Sequence, residues 1–404
     1  MSLNHASTHP NLPLFSVDQW DAQQQVLTLN INGLSETPLT PTKLLLTGWQ
    51  RGIAWYLLQA GEPEGHSNPF APSLFPIEFL DSPLLTGWRE TIPADVLQHL
   101  RIYSSNPFGL LMILSRDQAA CELFVDHPVL FCLLYFQAQW QGLGLPWLLR
   151  NCRLKRVDAL SSCDFPRQPS AVTLLKKLKF SGFTRRQFDL ICQVFQLDYW
   201  LLNHQPRISH TLLQSVIRHP VLLSCQLLAH WQDKDAQLLH STLTDIQRLQ
   251  RHGGFSPKRM LLPLRQCKQV QDVVRLHDRL VGIVNRKSAT GVRDDIAYPP
   301  PPLPGTEAIV PITDYAQLHA ESVTQHHCVN SYHADILAGS YYVYRVLVPE
   351  RATLGVSILY PGHDCQDVVV DQLKGLRNGE VCTETWQAVE TWLFSHRSVG
   401  KRHD

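Results

Sequence analysis

The run YYVYRVLVPERATLGVSILY, Tyr341–Tyr360, decides how the chain is read. Its first eight residues (341–348) and its last nine (352–360) are dense in β-branched and aromatic side chains, with Pro-Glu-Arg between them. A third run of the same kind, DVVVDQLKG, follows at 367–375. Three such runs at hairpin spacing predict an antiparallel meander. On the third run, a period of two predicts Val368, Val370, Gln372 and Lys374 on one face. Upstream, TDYAQLHAESVTQ (313–325) has a helical pattern with Thr313 as its cap. Downstream, TETWQAVETWLF (383–394) predicts a closing helix that packs through Trp386, Val389 and Leu393. The expected C-terminal module, residues 306–404, is therefore a small α+β unit: a β-meander flanked by helices, which pack on one side.

Working backward, YPPPPLPG (298–305) is a linker or a strap docked on that module. Residues 101–297 predict a basic helical domain, and residues 1–100 a strand-containing region opened by QQQVLTLNING, with Leu27, Leu29 and Ile31 on one face. GEPEGHSNPFAPSLFP (61–76) predicts a Pro/Gly loop. The fold class is mostly α with α+β. Two segments, AACELFVDHPVLFCLLYF and LLQSVIRHPVLLSCQLLAHW, each predict a helix, His-Pro, and a second apolar helix that Pro128 or Pro220 begins. The helix over 268–287 carries Val273, His277, Leu280 and Val284 on one stripe, which makes His277 a hydrogen-bonded core histidine.

At 404 residues the chain exceeds one compact core. None of its ten cysteines forms a C-x-x-C pair, and most lie in apolar runs, which predicts free thiols in a reducing cytoplasm. The N-terminal residues show no signal-peptide pattern, and no apolar run reaches a membrane span, so no membrane partner is expected. No phosphate-cradling Gly loop appears, and no cofactor is expected.

Net charge is close to zero but unevenly spread. Residues 145–300 hold 24 Lys/Arg against 11 Asp/Glu, whereas 1–144 hold 5 against 12 and 301–404 hold 7 against 12. A basic middle between acidic flanks is the footprint of a polyanion partner, RNA or DNA. Thr184 and Gln187 predict a capping box that starts a helix near Arg185, with Phe183 and Phe188 as its hydrophobic staple. Lys176, Lys177, Lys179, Arg185 and Arg186 gather around this helix start as candidate phosphate contacts, with Phe180 and Phe183 as candidate stacking surfaces, although the staple favours a structural place for Phe183. Residues 1–100 offer a surface for a protein partner.

The chemistry, if any, lies in TQHHCVNSYH, Thr324–His333. Cys328 with His326 or His327 offers a thiol and a base, with Gln372 or Asn378 as an orienting amide. A metal-independent nuclease would use His327 as acid or base with Tyr332 and Lys374. A zinc site would need Cys328, His333 and a thiol from Cys365 or Cys382, without paired-ligand spacing, so no metal is assigned. The same residues would also serve as a buried turn whose polar atoms Gln372 and Asn378 satisfy.

The ordered combination HHCVNSY, GSYYVYRV, PERATL and DQLKGLRN resembles the C-terminal module of the PcfJ-like family, named for a protein of conjugative plasmids. LHDRLVGIVNRK and PPPPLPGTEAIVPI resemble its lead-in, so the resemblance covers roughly residues 270–395. It carries a His-Cys-x-x-x-Tyr motif onto His327, Cys328 and Tyr332, and a Gln-x-x-Gly-x-x-Asn motif onto Gln372, Gly375 and Asn378. The mobile-element context implies nucleic-acid work. The expected function is an intracellular nucleic-acid-binding protein whose C-terminal module either processes the bound strand at this site or recognises a partner. The alternatives are a Cys-His hydrolase or transferase on a non-nucleic substrate, and a non-catalytic scaffold.

Overall fold

The computed structural model describes residues 14–32, 42–59, 62–66, 69–70, 77–100, 106–288, 297–359 and 367–397. The chain is mostly α with an α+β C-terminal part, and it divides into two compact units, Met1–Leu223 and Ser224–Asp404. The division gives the helices Ala236–Gly253, Pro257–Gln266 and Val270–Ser288 to the C-terminal unit.

In the N-terminal unit, β1 (Leu14–Asp21), β2 (Val26–Asn32), β3 (Thr42–Thr47), β4 (Trp55–Gln59) and β5 (Glu62–His66) form an antiparallel meander in chain order. Alternation buries Leu27 and Leu29 opposite Leu46 and Leu44; the side chain of Ile31 lies outside the described residues. β5 occupies part of the expected Pro/Gly loop. It pairs with β4 at the sheet edge, where Pro63 is tolerated without an N–H. Further along, β6 (Leu178–Lys179) and β7 (Ile208–Ser209) make a short parallel pair. Pro128 begins the apolar helix Pro128–Trp140 as expected. The second helix expected after Pro220 is replaced by two 3-10 turns, Pro220–Ser224 and Gln226–His230. The extended Cys225 separates the two turns, which bury Leu222, Leu223, Leu227 and Leu228.

In the C-terminal unit, β8 (Ile309–Pro311), β9 (Tyr341–Val346), β10 (Ala352–Leu359) and β11 (Asp367–Lys374) form an antiparallel sheet in the order β11-β10-β9-β8. One sheet face carries Leu354, Val356, Tyr342 and Tyr344 and meets the Thr383–Arg397 helix, with Tyr344 and Trp392 ring centroids 5.0 Å apart. The other carries Thr353, Gly355 and Tyr341 and meets the Tyr315–Gln325 helix and the Val329–Tyr332 turn. Helices thus cover both faces, not one. Trp392 makes the sheet contact expected of Trp386, which is 39% exposed because it lies off the buried stripe of Thr385, Val389, Trp392 and Leu393. Asp314, not Thr313, caps the Tyr315–Gln325 helix: Asp314 is extended, and its Oδ1 accepts from Gln317 N at 2.7 Å. The proline run is a strap. Leu303 O accepts from Tyr344 Oη at 2.9 Å, and Pro304 O accepts from Trp392 Nε1 at 3.1 Å.

The β10–β11 ladder shifts register between Gly355, opposite Gln372, and Val356, opposite Val370. Asp371 is the extra residue of a β-bulge, and the phase of β11 reverses across it. Val368, Val370 and Leu373 lie with Ile358, Val356 and Leu354, while Gln372 and Lys374 lie with Gly355 and Thr353 on the opposite face. The single face expected for Val368, Val370, Gln372 and Lys374 is therefore split in two.

A Cβ on Gly355 would lie 1.9 Å from Tyr341 Oη, so the tyrosine crosses the sheet only where a side chain is missing. Gly355→Ala is expected to lower stability by about 1–3 kcal/mol, the usual cost of overpacking. Tyr341→Phe in the same chain removes the clashing oxygen, so a urea-melt double-mutant cycle should show the pair costing less than the sum of the singles. Additive losses would refute this contact.

Candidate functional site

The Tyr315–Gln325 helix ends on His326, which is in the left-handed region at φ 52°. His326 N–H bonds to Val323 O, and His327 N–H to Ser322 O, which is the Schellman pattern with histidine in the usual glycine position. A non-glycine residue there costs about 1–2 kcal/mol. The reversal separates the two histidines: His326 is exposed, while His327 and Cys328 turn inward and are buried. Ser322 Oγ donates to His327 O at 2.5 Å and lies 3.1 Å from Asn285 Oδ1, which also accepts from Asn330 Nδ2 at 3.0 Å.

His327 Nε2 lies 2.8 Å from Thr353 Oγ1, and Thr353 Oγ1 donates to the buried Glu321 carboxylate, which Arg351 pairs on its other oxygen. With the hydroxyl proton given to Glu321, His327 donates from Nε2 and carries its lone pair on Nδ1, which has no hydrogen-bond partner. Burial pushes the imidazole down to about 4, so it is neutral at pH 7.

Tyr332 stacks on Tyr341 at 4.4 Å, accepts from Gln372 Nε2 at 2.8 Å, and lies under the Arg248 guanidinium at 3.7 Å. Arg248 also pairs with Asp335 at 2.6 Å. Burial pushes the Tyr332 phenol well above its ordinary range, with Asp245 adding to it. Asn378, in the left-handed region at φ 59°, closes the far wall. The six candidates His327, Cys328, Tyr332, Gln372, Lys374 and Asn378 all line one cavity of about 20 Å³, room for a single water.

Burial, and then the Asp245 charge, push the Cys328 thiol up, the reverse of an activated nucleophile. The expected zinc partners do not join it. His333 Nδ1 bonds Tyr298 Oη at 3.0 Å, Cys382 is exposed with Sγ 3.2 Å from Thr385 Oγ1, and Cys365 lies outside the described residues. His277 is buried as expected, but only its Nδ1 is bonded, 3.1 Å from Asp278 Oδ1.

Of the expected phosphate contacts, Lys176 pairs with Asp126 at 3.2 Å, Lys177 donates to Asn203 O, and Arg185 pairs with Asp189 at 2.9 Å. Lys179 and Arg186 are exposed, and no ion pair holds either among the described residues. The capping box at Thr184 and Gln187 is present. β6 sets Lys179 beside Ser209, the N-cap of the His210–Arg218 helix, and burial with the Arg186 charge lowers the His210 pKa. Phe180 and Phe183 are buried and offer no stacking surface. Trp140 does: it is 37% exposed, and the Arg185 guanidinium lies 4.6 Å from its ring. Both line a groove of about 800 Å³ with Phe165 and Phe188.

Sequence reasoning missed Asp245, Arg248, Glu321, Thr353 and Trp140. Asp245 carried a signal: it interrupts the buried stripe Thr242, Ile246 and Leu249 with a carboxylate. No family model, curated protein or solved structure matches the chain.

Thr353→Val keeps the side-chain shape but removes the hydroxyl shared by Glu321 and His327. A urea melt should show a loss of about 1–3 kcal/mol, with Thr353→Ser costing less. Equal stability of the Thr353→Val variant and wild type would mean the relay contributes nothing.

Proposed function

We propose that the chain binds nucleic acid without sequence preference through its N-terminal unit, and that its C-terminal unit processes the bound strand. The observation that carries the first half is Arg185 over the exposed Trp140 ring at the edge of an open groove, beside a capped helix start. A guanidinium on an indole, with a groove large enough for a base, is the composition of a strand-tracking surface. Lys179 and Arg186 add cations that no carboxylate among the described residues neutralises. The resemblance to the PcfJ-like family supports the same reading through its mobile-element context. The nine described cysteines are unpaired, which favours a cytoplasmic setting. No helix among the described residues is long and apolar enough to cross a membrane.

Processing is favoured by the convergence of His327, Tyr332, Lys374 and Asn378 on one cavity. The neutral His327, its tautomer set by Thr353 and Glu321, would take a proton at Nδ1, and Lys374 would hold developing negative charge. At about 20 Å³ the cavity admits a water and not a phosphate group, so the walls must part for a strand to enter.

Anisotropy titrations with labelled single- and double-stranded DNA and RNA test the first half. Lys179→Ala and Arg186→Ala should each flatten the salt dependence of log K by about one unit of slope. Trp140→Ala should cost about 1–3 kcal/mol on single strands. Salt-insensitive binding, or none, overturns the reading. A cleavage time course with wild type and His327→Ala tests the second half: cleavage lost in the variant supports processing, and intact strands throughout reject it.

A further inference from the structure

Asp245 on the Ala236–Gly253 helix, His277 on the Val270–Ser288 helix and Cys328 after the Tyr315–Gln325 helix each bring one donor atom to the same place. The three atoms lie within 4.8 Å of one another, and all three residues are buried. They form the one such group of three or more among the described residues.

Two of the donors are bare. Asp245 Oδ1 and His277 Nε2 have no hydrogen-bond partner. A buried carboxylate and a buried imidazole without partners are costly to keep in an apolar setting, and the three elements that meet here make no contact that satisfies them. His277 is also oriented. Its Nδ1 faces Asp278 Oδ1 at 3.1 Å, which leaves the Nε2 lone pair free. A carboxylate behind one ring nitrogen, with the other nitrogen free, is the outer arrangement of a metal-ligating histidine.

We infer that Asp245, His277 and Cys328 bind a Zn²⁺-class divalent cation, with a water from the adjoining cavity as fourth ligand. One oxygen, one nitrogen and one thiolate sulfur suit a borderline-soft, tetrahedral ion, and three protein ligands plus a water is the pattern of zinc sites with an open position. Charge agrees as well. A dication with one carboxylate and one thiolate is neutral, the only charge state that a buried site holds cheaply. Cys328 belongs to both the triad and the cavity wall, and the cavity has room for one water. Binding displaces the thiol proton to solvent, and the Asp245 proton where that carboxyl is protonated, so affinity falls as pH falls. Burial holds both groups toward their protonated forms in the free site.

The inference does not require nucleic-acid binding. If the ion activates its water, however, strand processing would depend on metal, and the chelator arm of a cleavage assay would show it.

The test is made on the full chain, stripped with chelator, dialysed, and titrated with Co²⁺ and then Zn²⁺ without nucleic acid. Wild type should bind one equivalent of Co²⁺ with a thiolate-to-cobalt charge-transfer band and intense tetrahedral d–d bands, both lost on adding Zn²⁺. Cys328→Ser should lose the charge-transfer band. Asp245→Asn keeps the side-chain shape and should bind at least tenfold more weakly, as should Asp278→Asn, which touches no ion. Far-ultraviolet circular dichroism checks that each variant is folded. An absent band in wild type overturns the inference, and so does a band that persists in folded Cys328→Ser, since it would then come from one of the other nine cysteines.

Discussion

Between Gly355 and Val356 the β10–β11 ladder takes in one more residue on β11 than on β10, and everything at the C-terminal site depends on that insertion. A period-two strand presents the same face along its whole length, so without the bulge Gln372 and Lys374 would point with Val368 and Val370 into the face that Trp392 covers. With it, the first half of β11 supplies apolar surface to the core, and the second half delivers an amide and an ammonium to the helical face. Gly355, opposite Gln372, leaves the space that Tyr341 needs to reach Asp371, the bulged residue itself, at 3.0 Å. The bulge on β11 is thus tied down from β9, across the intervening β10.

The polar groups gathered on that face are expensive, and their pairing explains the layout around them. Glu321 is buried with Arg351 on one oxygen and Thr353 on the other. Removing one partner of such a pair leaves a buried charge uncompensated, at about 3–5 kcal/mol. The Glu321 position is set by the cap at Asp314, the His327 position by the left-handed turn at His326, and the Thr353 position by strand register. Arg248 does the corresponding work on the other side of Tyr332, neutralised by Asp335 and stacked on the ring. Among the unbonded buried atoms of the neighbourhood, which include Arg248 Nε, Asn330 Oδ1 and Ser331 Oγ, are His327 Nδ1, Asp245 Oδ1 and His277 Nε2. These last three are acceptor or ligand atoms, which is why an ion and a water suit their chemistry where another side chain does not.

Much of this is legible in the sequence. The three strands and the Thr184 capping box follow from local pattern, because hairpin spacing and caps act over a few positions, whereas the motif residues His327, Cys328, Tyr332, Gln372 and Asn378 are what the family resemblance implies. What is not legible acts at longer range. A period-two reading of β11 has no way to register an inserted residue, so it puts Val370 and Gln372 on one face. The proline run looks like a boundary, which assigns the Ala236–Gly253 and Val270–Ser288 helices to a separate basic domain. Their Asp245, Arg248, His277 and Asn285 then have no visible connection to Cys328. His277 falls on an apolar stripe and reads as core, which it is; that its second nitrogen goes unbonded depends on what packs against it. The charged neighbours of Phe180 and Phe183 suggest exposure, yet both are buried, and the exposed ring of the groove is Trp140, roughly forty residues earlier.

The reading of Cys328 as a nucleophile can be weighed on the same physical terms. Thiolate chemistry needs a cation or a helix N-terminus beside the sulfur and an approach for an electrophile. Cys328 follows a helix C-terminus, sits beside a carboxylate that penalises the thiolate, and opens onto a space the size of one water. His327 does not rescue it, because burial raises the thiol and lowers the imidazole, so the sulfur keeps its proton against that base. Each of these features opposes attack on a carbonyl or phosphoryl group. None opposes coordination, since a metal cation bound to the sulfur adds to the Arg248 charge, which burial outweighs, and removes the proton that burial retains. The same thiol is therefore inert as a nucleophile and apt as a ligand, and its place between the Asp245–His277 pair and the cavity gives that second role a geometry.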